Sequence, residues 1–358
     1  MPPHGGGRRR LLVLGGSLHH PGGLEAYCER AAAAVQLHSR RWTAAWWPSE
    51  TAYFKPARMA AVRDVWRRLD QVEADLVWLQ WSNLLDLVLL QRLHAQGLPV
   101  LVTPHLGAAS RLQRLPLLRR LSTRLLAQAD RLALLFDAQD REIALPPALP
   151  RDRIGTFLPE EALSESIAPR EGSHLRLIHA GRLSREKGTF RMVELCAALR
   201  DRGMPVSARI VGRAEPAVMA ELNQAISAAD LGDVLHLTEW LDGPALRAAL
   251  GEADVMVHLS ELDSFPLIVL EALAAGALPV VADMAGAADM VRRYDGLVTR
   301  GSSVAAAADW LAGQELAAIR RRGAEAAVQV RAEQAWPQLV ARLEGIADAT
   351  VATAGVNA

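Results

Sequence analysis

The chain has 358 residues, more than one hydrophobic core usually holds, so two domains are expected. Its formal net charge is zero, which excludes a global basic field for nucleic acid, and no nucleic acid partner is predicted. The two cysteines, Cys28 and Cys196, lie far apart in helix-like contexts. This pattern is typical of buried thiols in a reducing compartment and excludes a disulfide framework.

The predicted location follows from the lengths of the apolar segments. The first apolar run, residues 11–14, is too short for the core of a signal peptide, and no stretch reaches the length of a membrane-spanning helix. The protein is therefore predicted to be cytoplasmic, or peripheral on the inner face of the plasma membrane.

Short apolar runs alternate with helix-like segments along the whole chain. The predicted strands of the first half are Leu11–Gly15, Thr43–Trp47, Leu76–Trp81, Val100–Thr103 and Arg131–Phe136. Those of the second half are Leu175–Ala180, Ser207–Val211, Val234–Leu237, Val255–Leu259 and Pro279–Ala282. This alternation predicts an α/β fold with two doubly wound, Rossmann-like domains, whose parallel sheets are covered by helices on both faces. The carboxyl ends of the two sheets are expected to face each other across a cleft.

A linker is predicted between the two halves. Residues 159–173 contain prolines, acids, serines and a glycine, and they interrupt the α/β rhythm. The domain boundary is therefore placed near residue 170.

The second half begins with a strand followed by G-R-L-S-R-E-K-G, residues 181–188. Gly181 permits a tight turn and a close approach of ligand, and Arg182 and Lys187 suit the charges of a diphosphate. A solvated loop with ordinary basic residues is the alternative interpretation. Lys187 is one of only two lysines among the 40 basic residues, which favours a site that needs a compact point charge.

A second motif, S-E-L-D-S-F-P-L-I-V-L-E-A-L-A-A-G-A-L-P, covers residues 260–279 between two predicted strands. Its helix is predicted to begin near Pro266, so the amides near Leu267 and Ile268 would form an anion pocket at the helix N-terminus. Asp263 and Glu271 could flank one ligand, one near sugar hydroxyls and one near a ribose. A solvated loop and an ordinary charge on a helix face are the alternative.

Taken together, the motifs G-R-L-x-x-x-K-G, I-V-G at residues 210–212, and D-S-F-P-x-x-x-x-E-A-x-x-x-G-x-x-P resemble the retaining glycosyltransferases of family four. These enzymes, the glycosyl transferases group 1, have the GT-B fold. The resemblance implies that Arg182 and Lys187 hold the diphosphate and that Glu271 grips the ribose. Asp263 would contact the transferred sugar, at a position where the family normally has glutamate. The other implied donor-binding residues are Gly181, Gly212, Ser264, Phe265, Pro266, Leu267 and Ile268.

The first half resembles the family less closely. Gly22 and Gly23 are similar to the family's glycine turn after the first strand, which approaches donor phosphate and acceptor; a plain helix N-terminus is the alternative. His105 is similar to a histidine at the acceptor side. The helix from Trp336 resembles the family's last helix, which crosses back to the first domain. The predicted limits are 1–165 for the acceptor-side domain, 170–325 for the nucleotide-sugar domain and 326–347 for that helix.

A basic stretch without any acid runs from Leu106 to Ala129. Its arginines alternate with leucines between Arg111 and Arg124, which indicates an amphipathic segment that lies on an anionic membrane surface. An outer helix face in an arginine-rich protein is the alternative interpretation.

The resemblance implies a retaining hexosyl- or related glycosyltransferase. Such an enzyme moves a sugar from a nucleoside-diphosphate donor to a glycan or lipid-linked acceptor in bacterial surface polysaccharide synthesis. Neither a metal nor any cofactor besides the donor substrate is expected. Two alternatives stay open, since fold does not imply function. One is a GT-B epimerase or phosphorylase, and the other is a non-catalytic nucleotide-sugar-binding partner of another transferase.

Overall fold

The computed structural model describes residues 7–19, 22–51, 59–261, 263 and 265–357. The chain divides into two compact units. The first comprises Met1–Leu158 together with Gln334–Ala358, and the second comprises Pro159–Glu333. The functional limits predicted from the sequence stay a prediction.

The first unit contains a parallel sheet of six strands in the order β2-β1-β3-β4-β5-β6. The strands are β1 (Arg9–Leu14), β2 (Trp42–Trp47), β3 (Leu76–Trp81), β4 (Val100–Pro104), β5 (Arg131–Leu134) and β6 (Arg151–Arg153). The central strands β3 and β4 are buried along their whole length, which is why their sequences are nearly continuous apolar runs.

Helices and one short turn connect these strands. They are α1 (Gly23–His38), α2 (Met59–Arg68), the 3-10 turn Leu69–Gln71, α3 (Leu84–Ala95), α4 (Arg111–Arg114), α5 (Pro116–Leu126), α6 (Gln139–Glu142) and the final helix α15 (Trp336–Asn357). Helix α15 packs on α1, and the indole Nε1 of Trp336 donates to the carbonyl of Leu158 over 2.8 Å. The end of the chain therefore belongs to the first unit.

The second unit repeats the architecture with strand order β12-β11-β10-β7-β8-β9. Its parallel strands are β7 (Leu175–Ala180), β8 (Val206–Val211), β9 (Leu235–Thr238), β10 (Val255–His258), β11 (Leu278–Ala282) and β12 (Leu297–Thr299). Its helices are α7 (Glu160–Ser164), α8 (Thr189–Asp201), α9 (Pro216–Ala228), α10 (Gly243–Glu252), α11 (Leu267–Ala274), α12 (Ala285–Arg293), α13 (Val304–Ala312) and α14 (Leu316–Glu333).

The predicted α/β fold with two doubly wound sheets is confirmed. Each of the ten predicted apolar runs lies on an observed strand. The strands β6 and β12 were not predicted because each has three residues and lies at a sheet edge, where part of its surface stays exposed. The predicted linker contains the short helix α7. In the described part of the chain, no helix combines the length and apolar character needed to traverse a bilayer.

Candidate functional site

The two motifs of the second half meet because their strands are neighbours in the sheet. Strand β10 pairs in parallel with β7, so the loops that follow both strands leave at the same carboxyl edge. The amide of Glu261 donates to the carbonyl of Glu186 over 2.8 Å, and the Ser260 hydroxyl donates to the same oxygen over 3.2 Å. The loop after β7 is thereby tied to the loop after β10.

Two glycines permit close backbone contacts at this edge, one between the loops after β7 and β10 and the other between the loops after β7 and β8. Gly188 has a φ of 81°, and a Cβ at this position would lie 2.4 Å from the carbonyl oxygen of Leu259. Gly212, with a φ of 152°, would place a Cβ 1.8 Å from the carbonyl oxygen of Gly181. No side chain fits either gap, so the edge of the sheet presents closely spaced backbone. In the sequence, Gly212 directly follows β8, whereas Gly188 directly precedes α8.

Lys187 and Asp263 form an ion pair at this edge. The Lys187 Nζ lies 2.6 Å from Asp263 Oδ2, and the side chains are 21% and 19% exposed. The two residues are 76 positions apart in the chain. Both residues were predicted to contact a ligand, Lys187 at the diphosphate and Asp263 at the sugar, but their contact with each other was not predicted.

A buried histidine completes the environment of Asp263. His258, the last residue of β10, places Nε2 3.0 Å from the same Oδ2 atom. Burial alone would raise the pKa of Asp263, but the hydrogen bond and charge of His258, together with Lys187, outweigh burial and hold the pKa below its ordinary value. Asp263 is therefore an ionised carboxylate at neutral pH. His258 was not predicted as a site residue because it ends an otherwise apolar strand.

A second buried histidine, His179 on β7, orders the loop that carries Lys187. Burial, and then the charge of His258, lower its pKa to about 4, so the ring is neutral at pH 7. Its Nδ1 lies 3.0 Å from the carbonyl oxygen of Val257 and must therefore donate, which leaves Nε2 to accept from the Thr189 hydroxyl at 3.2 Å. The Thr189 oxygen in turn accepts from the amide of Ser184 over 3.1 Å.

Arg182 differs from the other cations of this region. Arg185 is paired with Glu221, whereas the Arg182 side chain is exposed and has no hydrogen-bond or ion-pair partner among the described residues. Its guanidinium is therefore available to an external anion.

The described residues offer no cluster of metal-binding side chains. No group of three or more His, Cys, Asp or Glu side chains in that part of the chain is arranged to hold a metal ion.

Helix α11 begins at Leu267, immediately after the loop that contains Asp263. Pro266 is the N-cap residue, one position earlier than the first helical position expected for it, and no side chain among the described residues caps the helix. The backbone amides at the start of α11, including those of Leu267 and Ile268, belong to the same carboxyl edge. Phe265 precedes the cap and is partly buried. Ser264 lies outside the described residues.

Glu271 lies farther along α11 and borders a separate cavity of about 280 Å³ within the second unit. Neither Lys187 nor Asp263 lines this cavity. Its basic lining includes Arg170, whose guanidinium donates to the carbonyls of Gly251, Ala275 and Gly276 at the ends of α10 and α11, over 2.9, 2.7 and 3.0 Å. This arginine therefore fastens the predicted linker to the unit.

In the first unit, carboxylates occupy the amides that follow β1. The Ser17 amide donates to Glu25 and the Leu18 amide donates to Glu50, each over 3.0 Å. Burial raises the pKa of Glu25, hydrogen bonds to its own amide and that of Ser17 lower it, and the charge of Glu50 raises it further. Gly22 and Gly23 are exposed at the start of α1, where Gly22 is the N-cap residue. Among the described residues, no side chain caps the start of α1.

His105, predicted at the acceptor side, follows β4 in the first unit. Its Nε2 lies 2.9 Å from Gln80 Oε1, and its ring contacts Tyr27 edge-on with centroids 4.9 Å apart. Burial lowers the pKa of His105 to about 3, so the imidazole is neutral at physiological pH. It can exchange hydrogen bonds but carries no charge.

The basic stretch forms a mixed apolar and cationic surface on α4 and α5. Leu112 and Leu126 are buried, whereas Leu117 is 79% exposed. Other exposed leucines are Leu115 and Leu121. The exposed arginines on this surface are Arg111, Arg114, Arg119, Arg120 and Arg124.

Comparison with known proteins finds similarity over the second unit. Residues 164–323, which lie inside the second unit, match the family described as Glycosyl transferases group 1. Within the chain, 112 residues are 38% identical to the D-inositol 3-phosphate glycosyltransferase of Arthrobacter sp. (strain FB24), covering 31% of this chain. The match spans about a quarter, 26%, of the length of that relative.

Solved structures resemble the whole chain. The Anabaena protein Alr3699/HepE, crystallised in complex with UDP and glucose, has a TM-score of 0.74 and 16% identity over 95% of this chain and 99% of its own. Sucrose-phosphate synthase from Thermosynechococcus elongatus has a TM-score of 0.73 and 16% identity over 95% and 98%. At this identity the likeness establishes the fold, which is of the GT-B type.

Proposed function

We propose that the protein is a retaining glycosyltransferase that moves a sugar from a nucleoside-diphosphate donor to a hydroxyl of a glycan or lipid-linked acceptor. One observation carries this proposal: the loop with Arg182 and Lys187 meets the loop with Asp263 at one carboxyl edge, directly before α11. The family match over residues 164–323 supports the same reaction class.

The proposed chemistry follows from the charges at this edge. Cleavage of the bond between the sugar and the diphosphate develops negative charge on the departing phosphate. Arg182, Lys187 and the amides at the start of α11 would stabilise that charge as preorganised donors. Lys187 would leave Asp263 and turn to the diphosphate when the donor binds. By resemblance to the family, the acceptor hydroxyl attacks the same face of the sugar from which the diphosphate departs, so the anomeric configuration is retained.

The remaining predicted residues have proposed roles around this centre. Asp263 would contact the transferred sugar, and Glu271 would bind the ribose hydroxyls. Gly181 and Gly212 would let the nucleotide approach the backbone, since neither carries a side chain and the space beside Gly181 is open. The second unit is thus proposed as the nucleotide-sugar domain.

The first unit is proposed as the acceptor side. Gly22 and Gly23 would present the amides at the start of α1 to the donor phosphate or the acceptor, because the amides of Ser17 and Leu18 are already occupied by carboxylates. His105 would act as a neutral hydrogen-bond partner of the sugar. We place the reaction in bacterial surface polysaccharide synthesis on the resemblance to the family.

Two kinds of relative support a nucleotide-sugar donor. The Anabaena protein was also solved in complex with UDP-glucose, and a trehalose-6-phosphate enzyme of E. coli with the same fold was solved bound to UDP-2-fluoro glucose. The matching curated relatives are glycosyltransferases by name. UDP and UDP-glucose are therefore the first probes for this protein.

A thermal-shift screen against UDP, GDP, ADP, UDP-glucose and GDP-mannose tests the proposal. A ligand at a hundred times its dissociation constant should add about 2.7 kcal/mol to the free energy of unfolding. Release of nucleoside diphosphate from the stabilising donor, in the presence of acceptor glycans, should follow. A phosphorylase would instead require inorganic phosphate and no nucleotide. A non-catalytic partner would bind donor without releasing diphosphate. Absence of any stabilisation by these nucleotides would refute the proposal.

A second proposal concerns the α4–α5 surface, which we infer lies on an anionic membrane. Exposed leucines and arginines side by side suit the interface between acyl chains and anionic head groups. The double variant Arg119→Glu, Arg120→Glu should lose sedimentation with vesicles of phosphatidylglycerol and phosphatidylcholine. The matched control Arg40→Glu, Arg63→Glu changes two exposed arginines elsewhere in the unit and should sediment as the wild type does. Equal binding by both variants would contradict this role.

A further inference from the structure

The exchange of Lys187 from Asp263 to a diphosphate would leave a mostly buried carboxylate without its cation. We propose that His258 is a positioning residue that holds the Asp263 carboxylate in place while Lys187 turns to the donor. The inference rests on the proposed function and concerns one contact that keeps the sugar-binding carboxylate oriented.

His258 and Lys187 converge on one oxygen of Asp263. The distances to Oδ2 are 3.0 Å from His258 Nε2 and 2.6 Å from Lys187 Nζ. Since an ionised carboxylate only accepts hydrogen bonds, His258 Nε2 carries the proton that it shares with Asp263. No donor among the described residues contacts Oδ1 of the same carboxylate, which is the oxygen that we assign to a ligand hydroxyl.

The burial of Asp263 makes a second donor necessary. The side chain is 19% exposed, and a mostly buried carboxylate that loses its partner destabilises the site because little water replaces the lost contact. Aspartate is also one methylene shorter than the glutamate usual at this position, so it has less reach to find another partner. The His258 hydrogen bond keeps the carboxylate fixed after Lys187 has moved.

The imidazole of His258 is itself held firmly. Its side chain is 4% exposed, and its ring stacks on His179 with centroids 6.3 Å apart and an angle of 16° between the planes. His179 is anchored by Val257 and Thr189. The Nδ1 atom of His258 has no hydrogen-bond partner among the described residues. Within that part of the chain, the ring therefore makes its polar contact through Nε2, with Asp263. A ring so confined can orient a carboxylate but does not itself reach out to the ligand.

Binding measurements separate this role from packing. The dissociation constants of UDP and UDP-glucose, and of GDP and GDP-mannose, are measured by calorimetry for the wild type, His258→Leu, His258→Met and His258→Gln. Leu and Met fill the space without a donor, whereas the Gln amide can still donate to Asp263. We define the sugar increment as the dissociation constant of the nucleoside diphosphate divided by that of the corresponding diphosphate sugar. This ratio should fall about tenfold in the Leu and Met variants. The dissociation constant of the diphosphate alone should change less than twofold in all variants. The His258→Gln variant should regain most of the sugar increment.

Each other outcome overturns the inference in a distinct way. An unchanged sugar increment in folded Leu and Met variants shows that Asp263 needs no help from His258. A parallel loss of affinity for diphosphate and diphosphate sugar, or a Gln variant no better than Leu, shows that His258 serves packing only. A wild type that binds neither these four nucleotides nor ADP refutes the proposed function, and the inference falls with it. Thermal midpoints of all variants show which of them are folded.

Discussion

The two units share one architecture but carry opposite charge where their first strands end. In the second unit, Arg182 and Lys187 stand at the carboxyl edge, and Arg182 is exposed. In the first unit, the corresponding turn after β1 is filled by the carboxylates of Glu25 and Glu50, which accept from its amides. Six parallel strands place a loop at this edge in both cases, and the side chains decide what the loop can bind. Among the described residues, the turn after β1 therefore presents carboxylates and the loop after β7 presents cations.

The largest expected effect is that of Lys187→Ala. Removing one preorganised donor to a developing charge typically lowers turnover by about 10²–10³-fold. The thermal midpoint should fall only slightly, because His258 still holds the Asp263 carboxylate when the lysine is removed. Steady-state release of nucleoside diphosphate measures the effect, with Arg185→Ala in the same loop as the control. A near-normal rate in the lysine variant would remove the basis for treating the second unit as the anion-binding one.

The next largest effect is expected on stability, where the backbone at Gly212 lies close to that of Gly181 in the second unit. Gly212→Ala would place a Cβ 1.8 Å from the carbonyl of Gly181, and we expect about 3 kcal/mol of lost stability from the clash and the positive φ together. Gly203→Ala has a φ of 71° but open space around it, so about 1 kcal/mol is expected. Urea denaturation of both variants gives the comparison. Equal losses would mean that the loops can move apart freely.

Asp263→Ala should separate diphosphate binding from sugar transfer. In the wild type Asp263 competes for Lys187, so its removal should tighten diphosphate binding about fivefold, near 1 kcal/mol. Release of diphosphate from the donor sugar should nevertheless slow down, since the proposed sugar contact is lost. Glu50→Ala in the first unit should leave the affinity for diphosphate unchanged. Calorimetry measures the diphosphate affinity of both variants. Tighter binding by the Glu50 variant as well would contradict the contrast between the two units.

The smallest expected effect is on pH dependence. His179, with a pKa of about 4, and His105, with a pKa of about 3, stay neutral in the folded state, whereas in the unfolded chain they titrate near 6.5. The unfolded state therefore binds more protons as the pH falls below 6.5, and stability declines. Each histidine should cost about 1 kcal/mol between pH 7 and 5.5. Guanidinium denaturation should show a shallower decline for His179→Gln than for the wild type, and an identical decline would contradict the assignment.

Most of the fold could be predicted because buried parallel strands are apolar along their length. The sequence of β3 shows this, whereas β6, with Arg151 and Arg153 on either side of one aspartate, has no apolar residue to mark it as a strand. Its position is set by pairing with β5, which is a tertiary effect. Propensity and periodicity carry no information on such a partner.

The candidate site was predicted in its parts and not in its connections. Arg182, Lys187 and Asp263 could be found because each follows an apolar run at the carboxyl edge. The contact between Lys187 and Asp263 depends on β10 lying beside β7, and chain order does not specify that neighbour. His258 carried a weak signal, a polar residue that ends a buried strand five positions before Asp263. The capping of the first-unit turn by Glu50 depends on its left-handed φ of 56°, which the sequence did not indicate.

One calorimetric comparison tests the central claim most directly. The nucleoside diphosphate that stabilises the protein most and its parent nucleoside are each titrated into the wild type and into the double variant Arg182→Gln, Lys187→Gln. If these cations bind the diphosphate, the variant loses about 10²–10⁴-fold in affinity for the diphosphate and binds the nucleoside as the wild type does, since each charged hydrogen bond contributes about 1.5–3 kcal/mol. A variant that retains the wild-type affinity for the diphosphate would contradict the claim that the carboxyl edge of the second unit is a pyrophosphate site.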